Sequence, residues 1–133
     1  MTRMPKLSKM EWNYKDELHA TAQQAMKDSI PETTWYFYDG KGIRVRKVTE
    51  RQDGTSRMRE RVYLGDFEVF RKFTVDESTA LERQTLHVMD CNKRIDLVET
   101  CTQSIEPQVP RQLIPYQFTN QIQSVSLELD NKA

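Results

Sequence analysis

Apolar and polar positions alternate with a period of two along most of the chain, and Gly, Asp, Asn or Pro interrupts the alternation at short intervals. That period is the mark of a strand with two distinct faces. The clearest case is Thr33-Thr34-Trp35-Tyr36-Phe37-Tyr38-Asp39-Gly40-Lys41-Gly42-Ile43-Arg44-Val45-Arg46-Lys47-Val48. Four aromatics run into Asp-Gly-Lys-Gly, and an apolar/basic alternation runs out, which predicts a β-hairpin with its loop at 39–42. Tyr38 then faces Ile43 and Tyr36 faces Val45 on an apolar side. Phe37 meets Arg44 and Trp35 meets Arg46 on the other, where a guanidinium over a ring contributes about 0.5–1 kcal/mol. Asp39 accepts a backbone N–H in the turn and Gly42 takes a positive φ.

Further hairpins follow. Asp53-Gly54 predicts a type I′ turn joining roughly 43–51 to 56–64. In Arg61-Val62-Tyr63-Leu64-Gly65-Asp66-Phe67-Glu68-Val69-Phe70, Gly stands first in a two-residue loop, as a type II′ turn requires. Leu64 then opposes Phe67, Val62 opposes Val69 and Glu60 opposes Arg71 on one face, while Tyr63 opposes Glu68 on the other. Residues 75–81 form a polar loop. Thr85 to Met89 and Arg94 to Val98 flank a four-residue loop, Asp90-Cys91-Asn92-Lys93, with Leu86 facing Leu97 and Val88 facing Ile95. After a loop over 103–111 with two prolines, Leu113 to Phe118 and Ile122 to Leu129 make the last pair.

Upstream, Met10, Trp12 and Tyr14 share a strand face, Lys15-Asp16-Glu17 turns, and Leu18 to Thr21 returns. A helix over 11–27 competes with that hairpin. The hairpin is favoured, with a helical turn near 22–27, and Pro31 breaks what precedes it. The fold class is therefore all-β: an antiparallel meander of hairpins, about eight strands, with little helix. Residues 1–9 read as an unstructured lead-in, 10–130 as a single domain and 131–133 as a tail.

Composition narrows the picture. The 133 residues are 37% hydrophobic and 30% charged, so a core is thin and a barrel or a sheet solvated on one face suits the chain best. Lys+Arg and Asp+Glu are both 20, which removes the electrostatic footprint of a nucleic-acid or anionic-membrane binder. The basic run Arg57-Met58-Arg59-Glu60-Arg61 reads as a solvated strand face. No apolar stretch is long enough for a signal peptide or membrane span, so the chain as encoded is expected in the cytoplasm. Cys91 and Cys101 are too few for a disulfide scaffold and read as free thiols, with a bridge left open.

Four places share one grammar of aromatic or apolar, any residue, aromatic or apolar, then Asp or Asn and a turn. They are Trp12 to Asp16, Tyr36 to Asp39, His87 to Asp90 and Tyr116 to Asn120, at irregular spacing. Within it, Tyr36-x-Tyr38-Asp39-x-x-Gly42-x-Arg44-Val45-Arg46-Lys47-Val48 resembles the YD repeat of the Rhs (rearrangement hotspot) proteins and the related toxin-complex C proteins. Met10 to Leu18 resembles the preceding repeat. Arg61 to Arg71, with Tyr63 and Gly65, is similar to the family's Tyr-Leu-Gly-Gly-Phe-Glu segment. Glu82 to Thr100, and Tyr116 to Asp130, match later stretches. The resemblance implies a late segment of a hollow β-shell that encloses a C-terminal toxin, placed just before the family's self-cleaving core. The partners it implies are the remaining shell segments and the toxin. Asp66 stands where the family has a second Gly, and Thr119, Gln121 and Gln123 stand where it has Gly, His and Gly. These departures imply a diverged copy rather than an active toxin shell.

No residue is assigned chemistry. His87 pairs with Asp96 in the proposed hairpin, but no nucleophile is placed beside them. His19 reads as a turn or strand histidine. Asp39, Asp53, Asp66 and Asp90 sit at turns, where Asp is expected for backbone reasons, and no metal-ligand spacing or cofactor motif occurs. The functional expectation is structural: a wall segment, not an enzyme, with self-association through its sheet edges. The alternatives are a stand-alone β-domain that binds a protein partner by strand addition, and a ligand-binding barrel or hydrolase that shares the strand grammar.

Overall fold

A computed structural model describes residues 7–23, 31–114, 116–119 and 125–129. The strands are β1 (Leu7–Trp12), β2 (Leu18–Gln23), β3 (Thr33–Tyr38), β4 (Arg44–Glu50), β5 (Arg57–Leu64), β6 (Phe67–Phe73), β7 (Thr79–Asp90), β8 (Lys93–Ser104), β9 (Gln112–Leu113), β10 (Tyr116–Thr119) and β11 (Val125–Leu129). They form one open 11-stranded sheet in sequence order, with β9 and β10 both lying on the outer side of β8. Every pairing is antiparallel, and the described residues contain no helix. The meander of hairpins is thus present, with eleven strands instead of about eight. β1 begins at Leu7, inside the stretch expected as lead-in. Ala22 and Gln23 are strand, while the rest of the helical turn expected near 22–27 falls outside the described residues.

The sheet is a single layer. Among the described residues the buried apolar side chains are Ala20, Ala22, Val48 and Phe73, and no large side chain is fully buried. One row of directly paired residues, Met10, Thr21, Thr34, Thr49, Arg59, Lys72, Leu81 and Ser104, crosses eight strands on one face. The neighbouring row on that face is Tyr36, Lys47, Arg61, Phe70, Arg83 and Cys101. The opposite face carries Ala20, Trp35, Val48, Glu60, Arg71 and Glu82 in one row and Phe37, Arg46, Val62, Val69 and Gln84 in the next.

Register follows the sequence pattern where no residue is inserted. All four pairs expected for the Gly65 hairpin occur, and Gly65 alone of its loop has positive φ (65°). Elsewhere bulges shift the pairing. Tyr38 faces Arg44, then Phe37 faces Arg46 and Tyr36 faces Lys47, because Val45 is an extra residue on β4. Arg46 consequently lies over Phe37, and Arg44 over Tyr36 and Tyr63. The Asp90 hairpin closes on two residues, Cys91 and Asn92, both at positive φ (44° and 66°) as a type I′ turn demands. Ile95 is then bulged, so Leu86 faces Val98, His87 faces Leu97 and Val88 faces Asp96. The Asp53-Gly54 loop is longer than a two-residue turn: Arg51 N–H bonds the Ser56 carbonyl at 2.9 Å, and only Gly54 has positive φ.

Acid titration reads out two of these features. Asp53 is held down to about 2, first by the Ser56 hydroxyl and then by the Ser56 and Thr55 amides. Glu82 is held below the ordinary carboxylate value, first by Arg71, at 2.7 Å, and then by the Thr102 hydroxyl. Folded values below the unfolded ones contribute stability above the unfolded pKa that is lost as pH falls through the folded pKa. The urea midpoint is therefore expected to fall as pH drops below about 4.5, the ordinary Glu value, continuing toward pH 2. Arg71→Gln should flatten the Glu82 part of that profile; an unchanged slope would show that the pair carries no linkage.

Candidate functional site

The turns at one end of the sheet recur at a fixed spacing. The strands entering them end at Trp12, Tyr38, Leu64 and Asp90, a constant interval of 26 residues. Two of these turns are near copies. Asn13 N–H donates to the Glu17 carbonyl (2.9 Å), and Asp39 N–H to the Ile43 carbonyl (2.9 Å). The amide three residues on then donates back, Asp16 N–H to Asn13 (3.1 Å) and Gly42 N–H to Asp39 (3.1 Å). Each side-chain oxygen accepts two more amides: Lys15 and Glu17 on Asn13, Lys41 and Ile43 on Asp39. The left-handed position falls on Asp16 (φ 59°) and Gly42 (φ 79°). Thr74 to Ser78 repeats the backbone pattern at the opposite end, with Glu77 at φ 61°. Asp39→Ala strips two amides of their acceptor and should cost about 1 kcal/mol in chemical denaturation; no change would mean that water replaces the carboxylate without loss.

This geometry places the repeat positions. Tyr38 is tied across hairpins, its hydroxyl donating to the Leu18 carbonyl at 2.9 Å. Tyr36 meets the Thr21 hydroxyl at 3.2 Å and carries Arg44 and Lys47 over its ring. Asn13, not Asp16, matches Asp39, so Trp12 corresponds to Tyr38. Tyr14 falls in the turn, 91% exposed, with Lys15 over its ring. Tyr63 stacks under Arg44 at 5.3 Å, and Asp90 flanks its turn, exposed, opposite Lys93. Tyr116 pairs with Asp96 and Leu129, and Asn120 lies outside the described residues, as does most of the turn at 119–123. Asp66 takes no positive φ, so its hairpin needs only Gly65, and the Asp66 carbonyl accepts the His87 amide at 2.8 Å.

The two faces differ in kind. On one, Glu60, 5% exposed, receives Arg46 Nε at 2.6 Å and Arg71 Nη1 at 3.5 Å, with Arg57 at 3.8 Å. Arg71 continues to Glu82, whose carboxylate raises the Arg71 pKa further. On the other face the row from Met10 to Arg59 and the neighbouring row from Tyr36 to Phe70 line an open groove of about 720 Å³ over β1 to β6. In its lining, Arg61 bonds Glu68 at 2.7 Å and lies over the Phe70 ring, and beyond it Arg83 pairs with Glu99 at 2.8 Å. The sequence placed Glu60 opposite Arg71 but reached neither the convergence of Arg46 and Arg57 on Glu60 nor the groove; the basic run over 57–61, with Glu60 inside it, was the available signal.

His87 and Asp96 do not meet. The bulge at Ile95 turns them to opposite faces, where Asp96 accepts the Leu97 amide and His87 lies 3.6 Å from Glu68 and 3.2 Å from Arg94. Among the described residues no group of three His, Cys, Asp or Glu side chains is placed to hold a metal ion. Cys91 and Cys101 are free thiols. Among the described residues no helix is long and apolar enough to cross a membrane.

No protein-family model and no curated protein sequence matches the chain. Solved structures do. The chain is similar in fold to the crystal structure of TcdB2-TccC3, with a TM-score of 0.77 at 23% identity over 94% of its length. The same complex without its hypervariable C-terminal region gives the same values. A mutant Photorhabdus luminescens Tc holotoxin pore gives 0.79 at 23% identity over 97%. The chain spans only 6% of the length of each of those chains. Its fold is that of a short section of a toxin-complex component.

Proposed function

We propose that this chain is a segment of the wall of an Rhs/YD-repeat shell, that its work is steric enclosure of a toxic domain, and that none of its residues performs chemistry. The single layer carries the reading. A free-standing domain of this length closes over one core, whereas here each strand leans on its sequence neighbours, both faces are open and no large side chain is fully buried among the described residues. A strip of that kind completes its burial only against further strip. The ordered motifs between Met10 and Asp130 and the likeness to a small section of the toxin-complex chains support the same conclusion. The partners are then the adjoining shell segments and the enclosed toxin.

Sedimentation velocity tests it. An isolated wall segment has open strand edges and associates with rising concentration. A monomer that stays monomeric across the accessible range, with amides of β1 protected from exchange, would instead favour a stand-alone module. His87→Ala should leave stability and every measured activity as they were, and a hydrolytic activity lost with that substitution would overturn the wall reading.

A further inference from the structure

The cations of the two faces are partnered differently. Arg46, Arg57 and Arg71 converge on Glu60, so that face is internally neutralised. On the groove side Arg44 and Lys47 lie over the ring of Tyr36 at 5.6 and 5.8 Å, and Arg44 also over Tyr63, with no carboxylate in ion-pair reach among the described residues. Arg59 has Glu32 only at 3.9 Å. Lys47, Arg59 and Arg61 line the groove with Glu32 and Glu60, and Arg44 stands beside it on the same face, so a chain of net charge zero gathers a local cation surplus here. A cation held against a ring face keeps N–H groups available to donate to carboxylates, and the two rings at Arg44 limit where its head group can lie.

We propose that this groove docks an acidic polypeptide segment in extended conformation, its carboxylates meeting Arg44, Lys47 and Arg59. Arg59 and Arg61 stand two residues apart on one face of β5, about 7 Å, the interval at which an extended peptide presents alternate side chains. Glu32 and Glu68 interrupt the cations, at Arg59 and Arg61 respectively. Those carboxylates repel a continuous polyphosphate but leave room for a peptide whose charges alternate with neutral residues. The inference is independent of the wall reading, because neither sedimentation outcome alters the groove.

The test is fluorescence anisotropy of a labelled peptide of alternating Glu and Thr added to the full chain. Wild type should bind it, more weakly as salt rises. Arg44→Gln with Lys47→Gln should weaken binding about tenfold, the scale of lost charge-assisted contacts. Lys41→Gln with Lys93→Gln removes the same charge at exposed turns and should leave binding within about twofold of wild type. Far-UV circular dichroism checks the fold of each pair, and Arg59→Gln serves as a second groove variant. Absence of salt-sensitive binding by wild type overturns the proposal, as does equal weakening by the turn substitutions. Tighter binding of single-stranded oligothymidylate than of the peptide would reassign the groove to nucleic acid and overturn it too.

Discussion

Glu60→Ala is expected to lower the unfolding free energy by about 2–3 kcal/mol, measured from urea midpoints at constant m. Removing one member of a buried ion pair typically costs ~3–5 kcal/mol, because the charge left behind has lost its partner in a poorly solvated place. Of the three arginines left behind, Arg71 keeps Glu82 and Arg57 keeps Glu77, so Arg46 alone loses its carboxylate partner. The side chains of all three are 35–41% exposed, which lets water recover part of the penalty. The net figure therefore sits below the fully buried case and well above the ~0–1 kcal/mol of a surface pair. Glu60→Gln keeps the shape and some of the hydrogen bonds, and about half the loss. A Glu60→Ala cost no larger than a surface pair's would mean that the cluster merely decorates the sheet.

Tyr38→Ala is expected to cost about 2–3 kcal/mol, and Tyr38→Phe about 1 kcal/mol. The phenylalanine deletes only the bond to the Leu18 carbonyl, leaving that acceptor exposed to partial resolvation. The alanine also removes a half-buried ring, for which the ~3–5 kcal/mol of a fully buried aromatic is an upper bound. The position of the loss matters as much as its size. Because the hydroxyl ties one hairpin to the one before it, hydrogen exchange should accelerate at Leu18 to Ala20 as well as around Asp39. Acceleration confined to 36–45 would place Tyr38 in its own turn and nothing more.

Where these residues sit was partly legible beforehand. The Gly65 hairpin was fully readable, since strict alternation on both sides of a two-residue loop admits one register. The hairpins at Asp39 and Asp90 were recognised, but their pairings were not, because the extra residues Val45 and Ile95 are apolar and continue the alternation they break. The constant interval between turns was hidden for a chemical reason: Asn13 fills the place of Asp39, and the Tyr14 and Asp16 beside it look more like the motif than the true counterparts do. The groove was missed because its cations are divided between two strands, Arg44 and Lys47 on β4 and Arg59 and Arg61 on β5, and the basic run over 57–61 by itself reads as a solvated face. A neutral total charge says nothing about how charge divides between two faces.

The strictly sequential order of strands also governs how the chain gains and loses structure. Every ladder joins segments close in sequence, so little loop entropy is spent before contacts form, and folding can begin at any hairpin and spread outward at high rate. Without a shared interior, stability is a sum of nearest-neighbour terms, and loss begins at the ends. The molecule should melt as a zip does, fraying inward from β1 and β11 while the long β7–β8 ladder holds last.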